Sequence, residues 1–332
     1  MIILRLPDDE RLFLKLLIIY QTHFLVVFIM KYKSLYHYRA ISGFKALARD
    51  LINITRNAFL LYFFRDKSKI ILFYPEFPDW NADIHQALFW SKFRMISNPN
   101  QPYDYAINWE DTTYRNTDTA LSILSQKQHF INLGCTDISK NKVEKVFSNI
   151  FGYSTFVDPL HYQGKIIEKC ELNSKHSQAR VLNAPIKQIK QGFIYQKFLQ
   201  NQNDNYSIDY RVLFINNILP IVFIRYKPQD DIFDRVLNYQ MAKPQDLFSE
   251  KEIANIISFC HAMKLEYGEL DVIRDQNDQK IYIIDVNTTA HKPKSTCKSS
   301  FRKYKNNITR RSLSDLLKNR QVKKEPLEPM AV

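Results

Sequence analysis

Residues 268–287, with the sequence GELDVIRDQNDQKIYIIDVN, constrain the fold of this chain more than any other segment. The segment predicts an antiparallel hairpin, and pairing through its polar turn sets Asp271 opposite Asp285. Alternation along the strands places Glu269 and Asn287 on the same face. Like charges directly opposite each other destabilise a sheet, so a compensating group is expected, and a divalent cation is the simplest candidate. The alternative interpretation is that both aspartates are solvated on an open sheet face.

Charged residues upstream of this hairpin fall on other predicted strands. Lys169 closes a short strand, KIIEK, from which an ammonium group can meet a phosphate. Asp209 and Arg211 lie two residues apart, on one face of their strand, and Arg225 follows the turn at Asn216-Asn217. A forked, permanently charged arginine suits phosphate or carboxylate. Each of these residues taken alone is typical of a solvated surface charge.

The hydrophobic pattern predicts an α/β chain with several subdomains. Strands and helices alternate over residues 67–136, which indicates a small α/β domain. A helix is expected between the cap residue Ser139 and the terminating Gly152. A second helix over 249–264 begins with a capping box, Ser249 and Glu252. The intervening segments read as short strands.

The order of these elements is more informative than any one of them. A helix with lysines, a strand with a lysine, a YQKF strand, a DxR hairpin, a helix and a D…DxN hairpin follow one another over about residues 137–290. This order resembles the ATP-grasp superfamily, especially its carboxylate–amine ligase branch. The resemblance implies an α/β (α+β) class, with an ATP-grasp fold of two α+β subdomains preceded by the small α/β domain. The expected segments are 1–66, 67–136, 137–290 and a basic tail, 291–332.

The resemblance also implies where ATP and magnesium bind. A lysine near the start of the first helix approaches the phosphates, and spacing does not decide between Lys140 and Lys142. The backbone of the YQKF strand meets the adenine. The implied nucleotide-binding residues are Lys140, Lys142, Lys169, Gln196, Lys197, Phe198 and Asp209. The implied Mg²⁺ ligands are Asp271, Asp285 and Asn287, because carboxylate and amide oxygens suit this ion.

The implied activity is that of an ATP-dependent ligase. A carboxylate attacks the γ-phosphate of ATP, and an amine or another nucleophile displaces phosphate from the resulting acyl phosphate. Arg211 and Arg225 hold the transferring phosphoryl group or the acceptor carboxylate. The acceptor, a small molecule or a peptide, has no signature in the sequence.

The chain departs from the family pattern at several positions, so a degenerate nucleotide-binding or regulatory module is the second hypothesis. The segment Asn173–Gln178 contains no glycine, although the phosphate-covering loop is usually glycine-rich. Gln196 and Asp285 stand where glutamate is common. The residues after Asn287 lack the usual glycine-containing turn.

Charge and hydrophobicity at the two ends complete the prediction. The net charge of +13 is concentrated between Lys292 and Lys324, where twelve basic residues accompany one acid. Binding of nucleic acid or an anionic membrane by this tail is a third hypothesis, and we expect no nucleic-acid partner. The apolar run 12–30 is either a membrane anchor or a buried or over-extended start. We expect a cytoplasmic protein or one anchored at the inner membrane face.

Other catalytic classes have no support in the sequence. The four cysteines form no CxxC pair, which argues against a disulfide scaffold and a structural zinc site. No GxSxG, HExxH or GxxxxGK[ST] pattern occurs. The sequence therefore gives no support for a serine hydrolase, a zinc protease or a P-loop enzyme.

Overall fold

A computed structural model describes residues 69–79, 82–90, 93–115, 119–173, 179–203, 205–230, 232–233, 236–290 and 299–319. All of them belong to one compact unit, Asp66–Val332. The apolar run 12–30 and most of the expected covering loop, 174–178, lie outside the described residues. Among the described helices, none has the length and apolar character needed to cross a membrane.

The N-terminal layer of this unit is a parallel sheet flanked by helices. Its strands are β1 (Ile70–Pro75), β2 (Arg94–Ile96), β3 (Tyr105–Trp109) and β4 (Phe130–Ile131), in the order β2-β1-β3-β4. Helices α1 (Asp83–Trp90) and α2 (Thr119–Lys127) connect them. The central residues of β1, Ile71, Leu72 and Phe73, are fully buried, as expected for a strand covered on both faces.

A helix and a small antiparallel sheet follow. Helix α3 (Lys140–Phe151) has the predicted ends, because Ser139 accepts from the backbone N–H of Lys142 and Gly152 adopts a left-handed conformation with φ 79°. The sheet has the order β6-β5-β7, with β5 (Gly164–Cys170), β6 (Arg180–Ala184) and β7 (Phe193–Lys197). Residues 153–157, one of the segments expected to be a short strand, form only one isolated bridge, between Phe156 and Gln196.

The third layer is a five-stranded antiparallel sheet. It contains β8 (Ser207–Ile215), β9 (Ile218–Lys227), β10 (Asn238–Ala242), β11 (Tyr267–Arg274) and β12 (Ile281–Asn287), in the order β10-β9-β8-β11-β12. Asn216 and Asn217 both have positive φ, as the predicted tight turn between β8 and β9 requires. Helices α4 (Pro244–Leu247) and α5 (Glu250–Ala262) precede β11, and α5 starts with the predicted capping box.

The two faces of this sheet differ in what they contact. One face packs with α3 and α5 around residues such as Val212, Leu270 and Val286. On the other face, Leu213, Ile215 and their neighbours join the core of the parallel layer. Because alternate residues of β8 share a face, Arg211 and Asp209 lie on this second face beyond its apolar part. The packing thus leaves a charged region at one end of an otherwise apolar face.

Part of the segment interpreted as a basic tail is folded. Helix α6 (Ser299–Asn319) buries three leucines in the core shared by the parallel sheet and the five-stranded sheet. They are Leu313, Leu316 and Leu317. Residues 299–319 of the expected basic tail therefore belong to the folded unit, because the apolar face of the helix covers the sheet.

Candidate active site

The two aspartates of the final hairpin face each other as predicted. Asp271 on β11 lies opposite Asp285 on β12, and Glu269 lies opposite Asn287. A bulge after Asp271 shifts the register by one residue on the side of the turn. The bulge leaves the part that carries the predicted metal ligands in its expected alignment.

Two arginines bind the carboxylate of Asp271. Arg211 donates from Nε to Oδ1 at 3.0 Å, and Arg225 forms an ion pair in which Nη2 lies 2.9 Å from Oδ2. Burial alone would raise the pKa of Asp271, but the two guanidinium groups hold this pKa well below its usual range. The protein thus supplies the expected compensating charge with its own arginines, so the facing aspartates do not by themselves require a metal ion.

Arg225 is in turn held by a second acid. Its Nε donates to Oδ1 of Asp209, and Nζ of Lys227 forms an ion pair with Asp209, 2.8 Å from Oδ2. The side chains of Asp209, Arg225 and Lys227 are each about 90% buried or more. We call Asp209, Arg211, Arg225, Lys227 and Asp271 the ion-pair network. Within this network, Asp209 contacts Arg225 and Lys227. Sequence reasoning missed Lys227.

Lys169 reaches the large sheet from the small one. Its Nζ lies 3.4 Å from the carbonyl oxygen of Ile284, next to Asp285 in sequence. Burial lowers the pKa of Lys169 to about 8, and Asp285 opposes this shift by attraction. Lys140 adds to the lowering by repulsion, which places the two lysines in one electrostatic environment.

The structure distinguishes between the two helix lysines. Nζ of Lys140 donates to the carbonyl oxygen of Leu172 at 3.2 Å and to Oδ1 of Asn173 at 3.0 Å. Asn173 also contacts the carbonyl oxygen of Val286 through Nδ2, at 3.4 Å. Lys140 therefore lies with Lys169 at the junction between the two sheets. Lys142 is half-buried, and its backbone N–H is used by the helix cap.

Strand β7, expected to meet the adenine, is partly committed to other contacts. Its outward backbone groups pair with the segment after α3, because Val157 donates to the carbonyl of Tyr195 and Lys197 donates to the carbonyl of Thr155. Gln196 Nε2 donates to Oγ1 of Thr155 at 2.7 Å. Any backbone contact to a base would have to lie beyond Lys197.

The side chains of Lys197 and Phe198 point to other partners. Lys197 Nζ donates to the hydroxyl of Tyr282 at 2.6 Å and lies 3.6 Å from Oδ2 of Asp278, near the hairpin turn. Phe198 is half-buried, and Nζ of Lys165 lies 5.9 Å from its ring centroid. The structure thus does not bring the side chain of Lys197 to the ion-pair network.

The residues after Asn287 connect the hairpin to the parallel layer. Oδ1 of Asn287 accepts from the backbone N–H of Thr289 at 2.9 Å. Thr289 donates from Oγ1 to Oδ1 of Asp111 at 2.8 Å, and Thr288 accepts from Nη2 of Arg115. Asp111 and Arg115 come from the loop that follows β3. No short motif in the sequence marks them, because they meet the hairpin only in the tertiary structure.

The oxygen atoms near the hairpin suit a hard cation. Over the described residues, no group of three or more His, Cys, Asp or Glu side chains forms a metal site. The predicted ligand set is of a different kind, with two carboxylates and one amide. Mg²⁺ commonly takes one or two protein carboxylates together with phosphate oxygens. Asp285 and Asn287 fit this requirement, whereas the oxygens of Asp271 are shared with two arginines.

Comparison with known proteins gives similarity at the level of the fold. No protein-family model matches the sequence, and no match was found among curated proteins. The solved structures that match include the ATP-grasp ligase PsnB in complex with a minimal precursor, at 11% identity and a TM-score of 0.47, covering 75% of this chain and 99% of that one.

Two further structures match at a comparable level. D-alanine–D-alanine ligase from Bacillus anthracis has 12% identity and a TM-score of 0.48, covering 76% of this chain and 98% of that one. The macrocyclase MdnC from Microcystis aeruginosa MRC, bound to its precursor peptide MdnA, has 11% identity and a TM-score of 0.41 over 73% of this chain and 98% of that one. Similarity this distant leaves function to be argued from the residues of the chain itself. All three comparisons have TM-scores below 0.5.

Proposed function

We propose that the chain is an ATP- and magnesium-dependent ligase-like enzyme that activates a carboxylate as an acyl phosphate. One observation carries this proposal: Lys169 of the small sheet lies against the strand of the large sheet that bears Asp285. A lysine of the small sheet and a carboxylate of the large sheet thus approach each other at one junction. Such a pairing suits a polyphosphate with its cation, which needs both signs of charge at once.

The lysines and arginines divide the phosphate contacts between them. Lys140 and Lys169 lie together at the junction and would neutralise the α and β phosphates. Arg211 and Arg225 lie deeper along β8 and β9 and would hold the γ-phosphoryl group or the acceptor carboxylate. The side chain of Arg225 is only 6% exposed, so its position is set by Asp209 before any substrate arrives. Preorganised charge of this kind favours the transition state of phosphoryl transfer.

The proposed reaction proceeds in two displacements. An oxygen of the acceptor carboxylate forms a bond to the γ-phosphorus while the bond to the bridging oxygen of ADP breaks, so ADP leaves with that electron pair. An amine or another nucleophile then attacks the acyl carbon, and inorganic phosphate departs. No side chain has to act as a nucleophile, since positioning and electrostatics account for catalysis of this type.

Magnesium would be held by Asp285 and Asn287, with Asp271 as a third ligand if it is released from its arginines. When bound, the ion would offset charge on the phosphate oxygens. The residues of this chain would meanwhile orient the reactants and exclude water. Asp209 keeps Arg225 in place, and the contact between Asn287 and Thr289 fixes the end of β12.

Calorimetry tests the nucleotide site directly. We expect wild-type protein to bind ATP only with magnesium, and Asp285→Ala to lose this binding. Glu250→Ala is the matched control, because Glu250 is an exposed acid at the start of α5. Unchanged binding by Asp285→Ala would contradict the site assignment.

Turnover needs a separate measurement because the acceptor is unidentified. Hydroxylamine converts an acyl phosphate into a hydroxamate, so a panel of carboxylates can be screened with ATP, magnesium and hydroxylamine. We expect hydroxamate to form with at least one carboxylate class. Binding of ATP with no hydroxamate over a broad panel would favour the degenerate nucleotide-binding module instead.

A further inference from the structure

Arg115 is a buried cation that the proposed phosphate contacts do not use. It follows β3 and is only 4% exposed. Nη2 donates to the carbonyl oxygen of Glu110 at 2.8 Å and to Oγ1 of Thr288. Within the described part of the chain, Nε and Nη1 have no hydrogen-bond acceptor. Leaving buried N–H donors without acceptors is costly, so an arrangement of this kind requires an explanation.

The position of Arg115 within the sheet points to a ligand. Strand β2 pairs with one edge of β1, and β3 pairs with the other edge. The strand order therefore reverses between the neighbouring strands β1 and β3. In open parallel sheets, ligands bind in the crevice outside the carboxyl ends of such strands. These ends are joined here, because Glu76 donates from its backbone N–H to Trp109 and accepts from the N–H of Asp111. Arg115 lies in the loop just beyond.

The loop that carries Arg115 also contacts the residues that follow β12, the strand with the proposed Mg²⁺ ligands Asp285 and Asn287. Arg115 touches Thr288, and Thr288 directly follows Asn287. Asp111 binds Thr289, whose N–H donates to Oδ1 of Asn287. A group bound by Arg115 would therefore lie beside the residues proposed to hold the metal and nucleotide, on the side of the parallel layer.

We infer that Arg115 binds a carboxylate of the acceptor substrate. This assignment to the acceptor rests on the proposed ligase function, whereas the anion site itself rests on the geometry of the loop. Arg115 is planar and forked, which matches a carboxylate or a phosphate group. The acids Glu76, Glu110 and Asp111 are electrostatically coupled to it. Their negative charge opposes a doubly charged phosphate more strongly than a singly charged carboxylate.

Acetate in the absence of nucleotide is the probe for this site. Because the free nitrogens of Arg115 are covered, a ligand must displace neighbouring groups to reach them, which favours a small anion. We expect sodium acetate, substituted for sodium chloride at constant ionic strength, to raise the Tm of the wild type by a saturable few degrees. Inorganic phosphate should raise it less.

Arg115→Met is the main variant because methionine keeps an unbranched side chain without the charge. We expect this variant to fold and to lose the acetate-dependent rise in Tm. An equal rise in the variant, or no acetate-specific rise in the wild type, would overturn the inference. A larger effect of phosphate than of acetate would overturn the choice of a carboxylate. If Arg115→Met does not fold, Arg115→Lys should fold and show a smaller acetate-dependent rise in Tm. An undiminished rise in Tm in Arg115→Lys would also overturn the inference.

Calorimetry with ATP and magnesium separates this inference from the proposed function. Arg115→Met should bind ATP as the wild type does, because the inferred contact of Arg115 is with the acceptor carboxylate and not with the nucleotide. Loss of ATP binding in the variant would mean that Arg115 supports the nucleotide site instead. An acetate effect in a wild type that binds no ATP would leave the anion site standing and remove the ligase proposal.

Discussion

Arg225 on β9 binds Asp271 on β11 across the intervening strand β8, at 2.9 Å between Nη2 and Oδ2. Asp209 on β8 lies directly opposite Arg225 in the sheet and also binds its guanidinium group. One guanidinium thus links two carboxylates on two strands. Lysine cannot replace it, because a single ammonium lacks the forked geometry.

Arg225→Lys is therefore expected to impair turnover more than nucleotide binding. We expect the rate of hydroxamate formation to fall about tenfold or more, the loss of roughly one charge-assisted hydrogen bond, with the Kd of magnesium–ATP changed by less than about twofold. The measurements are the hydroxylamine assay and calorimetry. Arg180→Lys is the matched control, because Arg180 pairs with Glu168 on the small sheet and its side chain is 60% exposed. An equal loss in the control would argue against a specific role for Arg225.

Asp209→Asn should destabilise the fold, because it removes the carboxylate that faces two buried cations, Arg225 and Lys227. Breaking a buried pair in this way costs about 3–5 kcal/mol. Unfolding in urea would measure this change. Adding Lys227→Met to Asp209→Asn removes one of the uncompensated charges and should recover part of the loss. If the free energy of unfolding of Asp209→Asn lay within about 0.5 kcal/mol of the wild-type value, the network would add little to stability.

Lys169 predicts a pH dependence of nucleotide binding. Its pKa is lowered from 10.5 to about 8 in the folded protein, so its positive charge is lost as the pH rises through 8. We expect the affinity for magnesium–ATP to fall about tenfold between pH 7 and pH 9, and to fall little in Lys169→Arg, which stays charged. Calorimetry in buffers of different ionisation enthalpy should also detect proton uptake on binding near pH 8.

The same shift affects the stability of the free protein with the opposite sign. The unfolded chain holds the proton of Lys169 more tightly than the folded one, so this residue makes stability rise with pH between about 8 and 10.5. A pH profile of wild-type affinity that is flat from 7 to 9 would mean that Lys169 does not contact phosphate.

Helix α6 is expected to belong to the folded unit rather than to a tail. Leu316 is fully buried in the core below β8 and β9, so Leu316→Ala should lower the free energy of unfolding by about 2–5 kcal/mol. Arg311→Ala on the exposed side of the same helix should change it by less than about 0.5 kcal/mol. Denaturant unfolding of both variants gives the comparison. A Leu316→Ala protein as stable as the wild type would place the helix outside the cooperative unit.

The sequence by itself determined the features that depend on neighbouring residues. The ends of α3 follow from a capping serine and a glycine that tolerates positive φ, and the turn at Asn216-Asn217 follows from the same tolerance. The alignment of Asp271 with Asp285 arises within one hairpin, where the bulge after Asp271 also contributes to the register. In each case the physical cause lies within a few residues or within one hairpin.

Only the tertiary structure decided which charged groups meet. The reach of Arg225 across β8, the approach of Lys169 to β12 and the contact of Arg115 with Thr288 join residues that are far apart in sequence. Strand order and the packing of layers set these distances, and neither is encoded in a local pattern. The sequence therefore placed Asp209 on the right strand, but the fold decided that it binds Arg225 and Lys227, because an acid in a buried position must be paired.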